Sequence, residues 1–157
     1  MAQISLNTDE KNAILLKTSL EFVTRWLLYK GIGKAVRKKL KTLSIEDNLR
    51  DHGLDSLEAI ELVMQVEEYF DVEISDEVAE KMETISAIIN YLYEQINAEQ
   101  IISACEEELK KEETDEEEKT EKKELVEYFI STLKKQIIDI EDEYIKTILT
   151  QHKITLL

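Results

Sequence analysis

Gly53-Leu54-Asp55-Ser56-Leu57-Glu58-Ala59-Ile60-Glu61-Leu62-Val63-Met64-Gln65-Val66-Glu67-Glu68-Tyr69-Phe70 decides how this chain is read. Asp55 is a good N-cap, because its carboxylate accepts from the unpaired amides of a first turn, and Gly53 relaxes the approach to it. A helix therefore begins at Asp55 or Ser56. Ile60, Val63, Met64, Val66 and Phe70 supply its buried face, while Glu58, Glu61, Gln65, Glu67 and Glu68 point outward. Ser56 thus stands as an exposed hydroxyl at a helix start, flanked by carboxylates, a setting that suits covalent modification better than unaided catalysis.

Working outward, the next elements follow from capping chemistry. Asp71 to Glu77 reads as a turn that pins Val72 and Ile74 inward, with Ser75 capping a short helix supported by Val78, Ala79 and Met82. A further start at Thr84 leads Ile85, Ile88, Ile89, Leu92 and Ile96 down one stripe. Before the opening stretch, Leu43 to His52 has no helical period and reads as a loop anchored by Ile45 and Leu49. Upstream again, apolar residues at 13, 16, 20, 23, 27 and 28 lie on one face of a helix between about Asp9 and Leu40, broken or bent at Gly31 and Gly33.

After Ala104 the run from Glu106 to Lys123 offers almost nothing to bury. It reads either as a disordered linker or as a solvated helix held by Glu/Lys pairs four apart. Beyond it Val126, Ile130, Leu133, Ile137, Ile140, Tyr144 and Ile148 step by fours and threes, a heptad-like seam. Three partners are open to that seam: the first helix, a second copy, or another protein. The expected units are an N-terminal extension (1–20), a helical domain (21–100), an acidic linker or solvated helix (101–124) and an amphipathic helix (125–157).

The composition agrees with an all-α fold. There are 157 residues, 43% of them hydrophobic, with no Pro and only three Gly, which leaves little turn chemistry for an all-β or doubly wound fold. The net charge of −15 is unevenly spread. Residues 1–45 carry nine Lys/Arg against three Asp/Glu, whereas residues 46–100 carry sixteen acids against Arg50 and Lys81 alone. Such a field repels nucleic-acid phosphate and steers basic protein surfaces toward Ser56. Cys105 is the only cysteine, so an intrachain disulfide and a Cys-rich metal site are both excluded. Lys17, Glu21 and Arg25 interrupt the most apolar early stretch, which argues against a spanning helix or a secretory segment. A cytoplasmic protein is expected, and the basic N-terminal stretch leaves an organelle open.

Residues 45–97 resemble the acyl carrier protein family. Gly53-Leu54-Asp55-Ser56-Leu57 is similar to that family's attachment signature, and Glu61-Leu62-Val63-Met64, Glu67-Glu68-Tyr69-Phe70-Asp71, Ile74-Ser75-Asp76-Glu77 and Ala79-Glu80-Lys81-Met82 follow in the family's order. The resemblance implies a four-helix bundle, three longer helices and one short, here with an extra long C-terminal amphipathic helix. It implies 4'-phosphopantetheine on Ser56, attached by a phosphopantetheinyl transferase, with Asp55 as N-cap and assistant to the modification. It implies that Glu58, Glu61, Glu67 and Glu68 dock onto basic patches of acyl-processing enzymes. Ile60, Val63, Val66, Phe70, Ile74, Met82, Ile85, Ile88 and Leu92 would line the core in which an acyl chain shelters.

Two positions depart from the family pattern: His52 stands where an apolar residue is usual, and Ser75 replaces a frequent Pro. No catalytic residue and no metal site are expected. A serine hydrolase lacks its Gly-x-Ser-x-Gly elbow, and the only histidines are His52 and His152. The expected function is a carrier that presents acyl thioesters to fatty-acid, lipid or polyketide biosynthetic enzymes. The alternatives are a non-catalytic adaptor working through the C-terminal helix, with self-association or a protein partner along residues 125–150, or a carrier of an aminoacyl cargo.

Overall fold

The computed structural model describes residues 8–31 and 43–136. The basic stretch Lys34 to Lys41, His152 and the seam residues Ile137, Ile140, Tyr144 and Ile148 lie outside the described residues. The described chain is all helical: α1 (Thr8–Gly31), a 3-10 turn (Leu49–His52), α2 (Ser56–Phe70), α3 (Asp76–Ala79), α4 (Ile85–Gln95), α5 (Ala98–Lys110) and α6 (Glu116–Gln136).

Short polar side chains start most of these helices. Asp55, Ser75, Thr84 and Asn97 each adopt extended backbone and accept from an amide in the following turn. Asp71 closes α2 in the left-handed region (φ 53°), where Asp is among the few tolerated side chains.

α1 is the centre of the molecule. It packs against α2, α4, α5 and α6, and Thr18 to Trp26 are buried without interruption. A helix buried on every side lies between two layers. One layer is α2 to α4. The other is the α5–α6 hairpin, where Phe129 lies 5.6 Å from Phe22 between ring centroids and the Tyr128 ring sits 5.2 Å from the Arg25 guanidinium. Arg25 also holds Glu21 Oε2 at 3.0 Å, a buried charge with a partner.

The expected boundary between residues 20 and 21 falls inside α1, and Leu20 and Val23 on either side of it are both buried. The stretch 101–124 also differs from an unburied linker. It contains most of α5, a turn and the start of α6, with Ile101, Cys105, Glu108, Leu109, Glu113 and Lys122 buried. Beyond α1 to α4 the described chain continues in α5 and α6. The described part of the seam, Val126, Ile130 and Leu133, is buried within the same chain, with Leu125 and Phe129 buried beside it. Among the described residues the neighbour of this seam is α1.

Candidate functional site

The ground under Ser56 is fixed before the helix begins. Asn48 accepts from Arg50 N at 2.9 Å and donates from Nδ2 to Glu83 Oε2 at 3.1 Å, while Leu49 N donates to Glu83 O at 2.8 Å. Leu49 is fully buried, and Leu54 N returns to Leu49 O at 3.2 Å. The 3-10 turn is thereby tied to the segment that leads into α4. His52 is half-buried beside Asp47, Nε2 to Oδ2 3.6 Å.

Gly53 ends the turn at φ 103°, a conformation that side chains with a Cβ adopt only under strain. Gly53→Ala is expected to destabilise the fold by about 1–2 kcal/mol, read as a lower urea midpoint; an unchanged midpoint would mean that the turn relaxes freely.

Asp55 then caps α2 reciprocally with Glu58: Glu58 N donates to Asp55 Oδ1 at 2.7 Å, and Asp55 N donates to Glu58 Oε1 at 3.2 Å. Ser56 occupies the first helical position and is exposed. Its hydroxyl sits where unpaired amides and the helix dipole favour a negative group.

The outward face of α2 is apolar as well as acidic. Leu57, Ile60 and Met64 are 64%, 58% and 60% exposed, and Glu61 and Glu68 are exposed beside them. Ile60 and Met64 are therefore corrections to the expected core. Each lies two residues from Leu62, hence roughly 160° round the helix from it, and the true inner stripe is Leu62, Val66 and Phe70, four apart. That simple i, i+4, i+8 series was the signal available for Leu62. Val63 packs partly against the core, and Ile74, Met82, Ile85, Ile88 and Leu92 are buried.

The other two expected docking acids are engaged within the chain. Glu58 is half-buried in the capping box, and Glu67 Oε2 accepts from Ile74 N at 3.0 Å, pinning the turn after α2.

Comparison with known proteins bears directly on this turn and helix. The family described as phosphopantetheine attachment site matches residues 30–92. Over 66 residues the chain is 42% identical to an acyl carrier protein of Buchnera aphidicola subsp. Schizaphis graminum (strain Sg), a match spanning 42% of this chain and 80% of that protein. The chain belongs to the acyl carrier protein family. No solved structure matches it significantly.

The cofactor of the carrier is 4'-phosphopantetheine. An exposed hydroxyl at a helix N-terminus, with open solvent before it and an apolar face beside it, fits such a group. When bound, the cofactor supplies a thiol on a long flexible arm. The matched segment ends at residue 92, so α5 and α6 lie beyond it. Among the described residues no helix is long and apolar enough to cross a membrane.

Proposed function

We propose that Ser56 is the attachment residue, joined through Oγ to the phosphate of 4'-phosphopantetheine, and that the chain carries acyl thioesters among fatty-acid, lipid or polyketide biosynthetic enzymes. The observation that carries this reading is the placement of Ser56: exposed, first in α2, directly after a capped Asp55 and a rigid left-handed Gly53. The role of the protein is to hold the arm, not to perform chemistry, and no side chain is assigned catalysis. The arm gives each partner enzyme a high effective concentration of substrate. The setting is cytoplasmic, in keeping with a single buried thiol, Cys105.

Asp55 has a second role open to it beyond the cap. Only Oδ1 is used by Glu58 N, so Oδ2 is the oxygen suited to a transferase-bound magnesium ion. The acyl chain would lie between α2 and α4 among Val63, Val66, Phe70, Ile74, Met82, Ile85, Ile88 and Leu92, with Ile60 outside that core. The carrier unit is α1 to α4, and α5–α6 is an addition that shares α1 with it.

The test is incubation of the full chain with coenzyme A and a phosphopantetheinyl transferase, followed by intact-mass and peptide analysis. A gain of one phosphopantetheine on the peptide holding Ser56 is expected. No gain would remove the carrier assignment to this serine.

The docking face is narrower than four acids: Glu61 and Glu68 with the exposed Leu57, Ile60 and Met64 beside them. Charge of this kind acts on encounter rate more than on final affinity. Glu61→Lys combined with Glu68→Lys is expected to slow loading by a transferase with a basic docking patch roughly tenfold at low salt, the difference shrinking as salt rises. Equal rates for the wild type and the double variant at low salt would rule out this face.

A further inference from the structure

The contact between the α5–α6 hairpin and the rest of the chain combines three features. The first is a hinge. α4 is closed by Ile96 N donating to Leu92 O, and α5 opens on its own capping box, with Gln100 N donating to Asn97 Oδ1 at 2.8 Å and Asn97 N to Gln100 Oε1 at 3.0 Å. Ile96 (φ −119°, ψ 154°) and Asn97 (φ −85°, ψ 168°) between them are extended. Each helix is thus finished independently, and the joint is two residues long.

The second feature is a cluster of ions, Glu113 and Lys122 buried and Lys30 at the surface, that binds the hairpin to α1. Glu113, in the α5–α6 turn, accepts from Lys30 of α1 at 3.3 Å and from Lys122 of α6 at 3.4 Å, and Lys122 also donates to Lys111 O. Both ammonium groups lie over the Trp26 ring, 5.4 and 5.7 Å from its centroid. Burial pushes the Glu113 carboxyl up, but the two ammonium groups outweigh it and hold it below the usual carboxylate value. Burial pushes Lys122 down, and one carboxylate shared with Lys30 does not restore it. Glu108 of α5 is the other acid facing Lys122, and it accepts from the Tyr69 hydroxyl of α2 at 3.0 Å. Burial and the Glu108 charge push the Tyr69 hydroxyl up.

The third feature is incomplete satisfaction. Trp26 Nε1, Glu108 Oε2 and Thr24 Oγ1 are buried without a hydrogen-bond partner among the described residues. Orphaned polar atoms and desolvated ions each take back part of what apolar contact supplies. Phe22 on Phe129 and Trp26 beneath its two lysines draw this seam shut, while its polar groups oppose them.

We propose that the α5–α6 hairpin is a strap on the carrier: it closes over α1, with Glu113 between Lys30 and Lys122 as its clasp, and opens as a unit about Ile96–Asn97 while α2 to α4 stay folded. The occupant of the outer α1 face is the chain's own α6. The strap begins after residue 92, beyond the segment matched by the carrier family, so the carrier unit is not interrupted when it opens. The inference does not depend on the assignment of Ser56.

Acid should loosen the clasp. The Glu113 carboxyl is lowered in the closed state, so its contribution is present above the ordinary carboxylate range and is lost as pH falls through the lowered value. Lys122, also lowered, has a dependence of the same sign at higher pH, favouring closure as pH rises toward its ordinary value. Tyr69, raised, weakens closure only in strong base. The acid limb is therefore the one expected to open the strap.

Hydrogen exchange on the full chain tests this. At neutral pH the protection factors of residues 101–109 and 122–133 should be at least about tenfold lower than those of residues 62–70 and 85–92, and Glu113→Gln should lower the first set roughly tenfold further without moving the second. Parallel protection of both sets, or an equal effect of Glu113→Gln on both, would overturn the strap. Should that variant not fold, the wild-type chain still decides. On acidification the emission of Trp26, the chain's only tryptophan, should shift before helical ellipticity is lost, and coincident transitions would reject the proposal.

Discussion

Ser56→Ala is expected to abolish loading with phosphopantetheine completely while leaving the fold within about 0.5 kcal/mol of wild type. The separation is possible because Ser56 is not the cap. Asp55 accepts from the first-turn amide and Glu58 closes the box from the other side, so position 56 asks only for a helix-compatible residue, and Ala is the best of these. The side chain is exposed, so its removal leaves no cavity. Asp55→Ala is the informative contrast. It deletes the cap, is expected to cost about 1 kcal/mol, and leaves the hydroxyl in place on a frayed first turn. Loading should therefore be slowed by Asp55→Ala and absent in Ser56→Ala, with the stability changes in the reverse order. Intact mass and urea midpoints measured on the same preparations check both. An undiminished mass gain on Ser56→Ala would move the attachment point to another hydroxyl.

The part of the molecule around Ser56 was legible in the sequence because it is built from local chemistry. Asp55, Ser75 and Thr84 announce three helix starts, and each side chain does accept from an amide three residues on. The face of α2 was harder to read. Leu57, Leu62 and Met64 all stand in one run of apolar and acidic residues, and periodicity alone allowed Ile60 to be placed inside, although it is 58% exposed. An exposed apolar stripe between acids looks like a core stripe until the other side of the helix is occupied.

The hairpin was not legible, and the reason is physical. Its fixing points are charged: Glu108, Glu113 and Lys122 are buried, and residue-type preference places such side chains outside. What pairs them is tertiary. Lys30 and Glu113 are 83 residues apart, and no local pattern records a bond of that separation. α1 hides its role for a related reason, since its second buried side carries Thr18, Glu21 and Arg25, residues that read as a solvated face. Phe22, Arg25, Trp26 and Tyr29 form a second stripe on it beside Leu20, Val23 and Leu27, and the second stripe has meaning only once α6 is there.

Trp26→Ala should produce the largest loss of stability of any single change outside the turn and cap. The side chain is fully buried, stacked on Tyr29 at 5.2 Å between ring centroids with an interplanar angle of 6°, and roofed by the ammonium groups of Lys30 and Lys122. Truncating a buried aromatic of this size costs about 3–5 kcal/mol, set against a total of about 5–15 kcal/mol for a domain. The loss is compounded because two cations, one of them buried, then face a void in place of a ring. Far-UV ellipticity in urea is the measure, since the variant has no tryptophan, and Leu57→Ala, at an exposed site, should move the midpoint hardly at all. Trp26→Phe separates volume from polarity. It keeps an aromatic face for the lysines and removes an indole N–H that is buried without a partner among the described residues, so part of the volume penalty is offset by the loss of an unsatisfied donor. A cost of about 1–2 kcal/mol is expected. If Trp26→Phe costs as much as Trp26→Ala, the indole N–H is hydrogen-bonded in solution, and the seam between α1 and the hairpin is tighter than its polar groups imply.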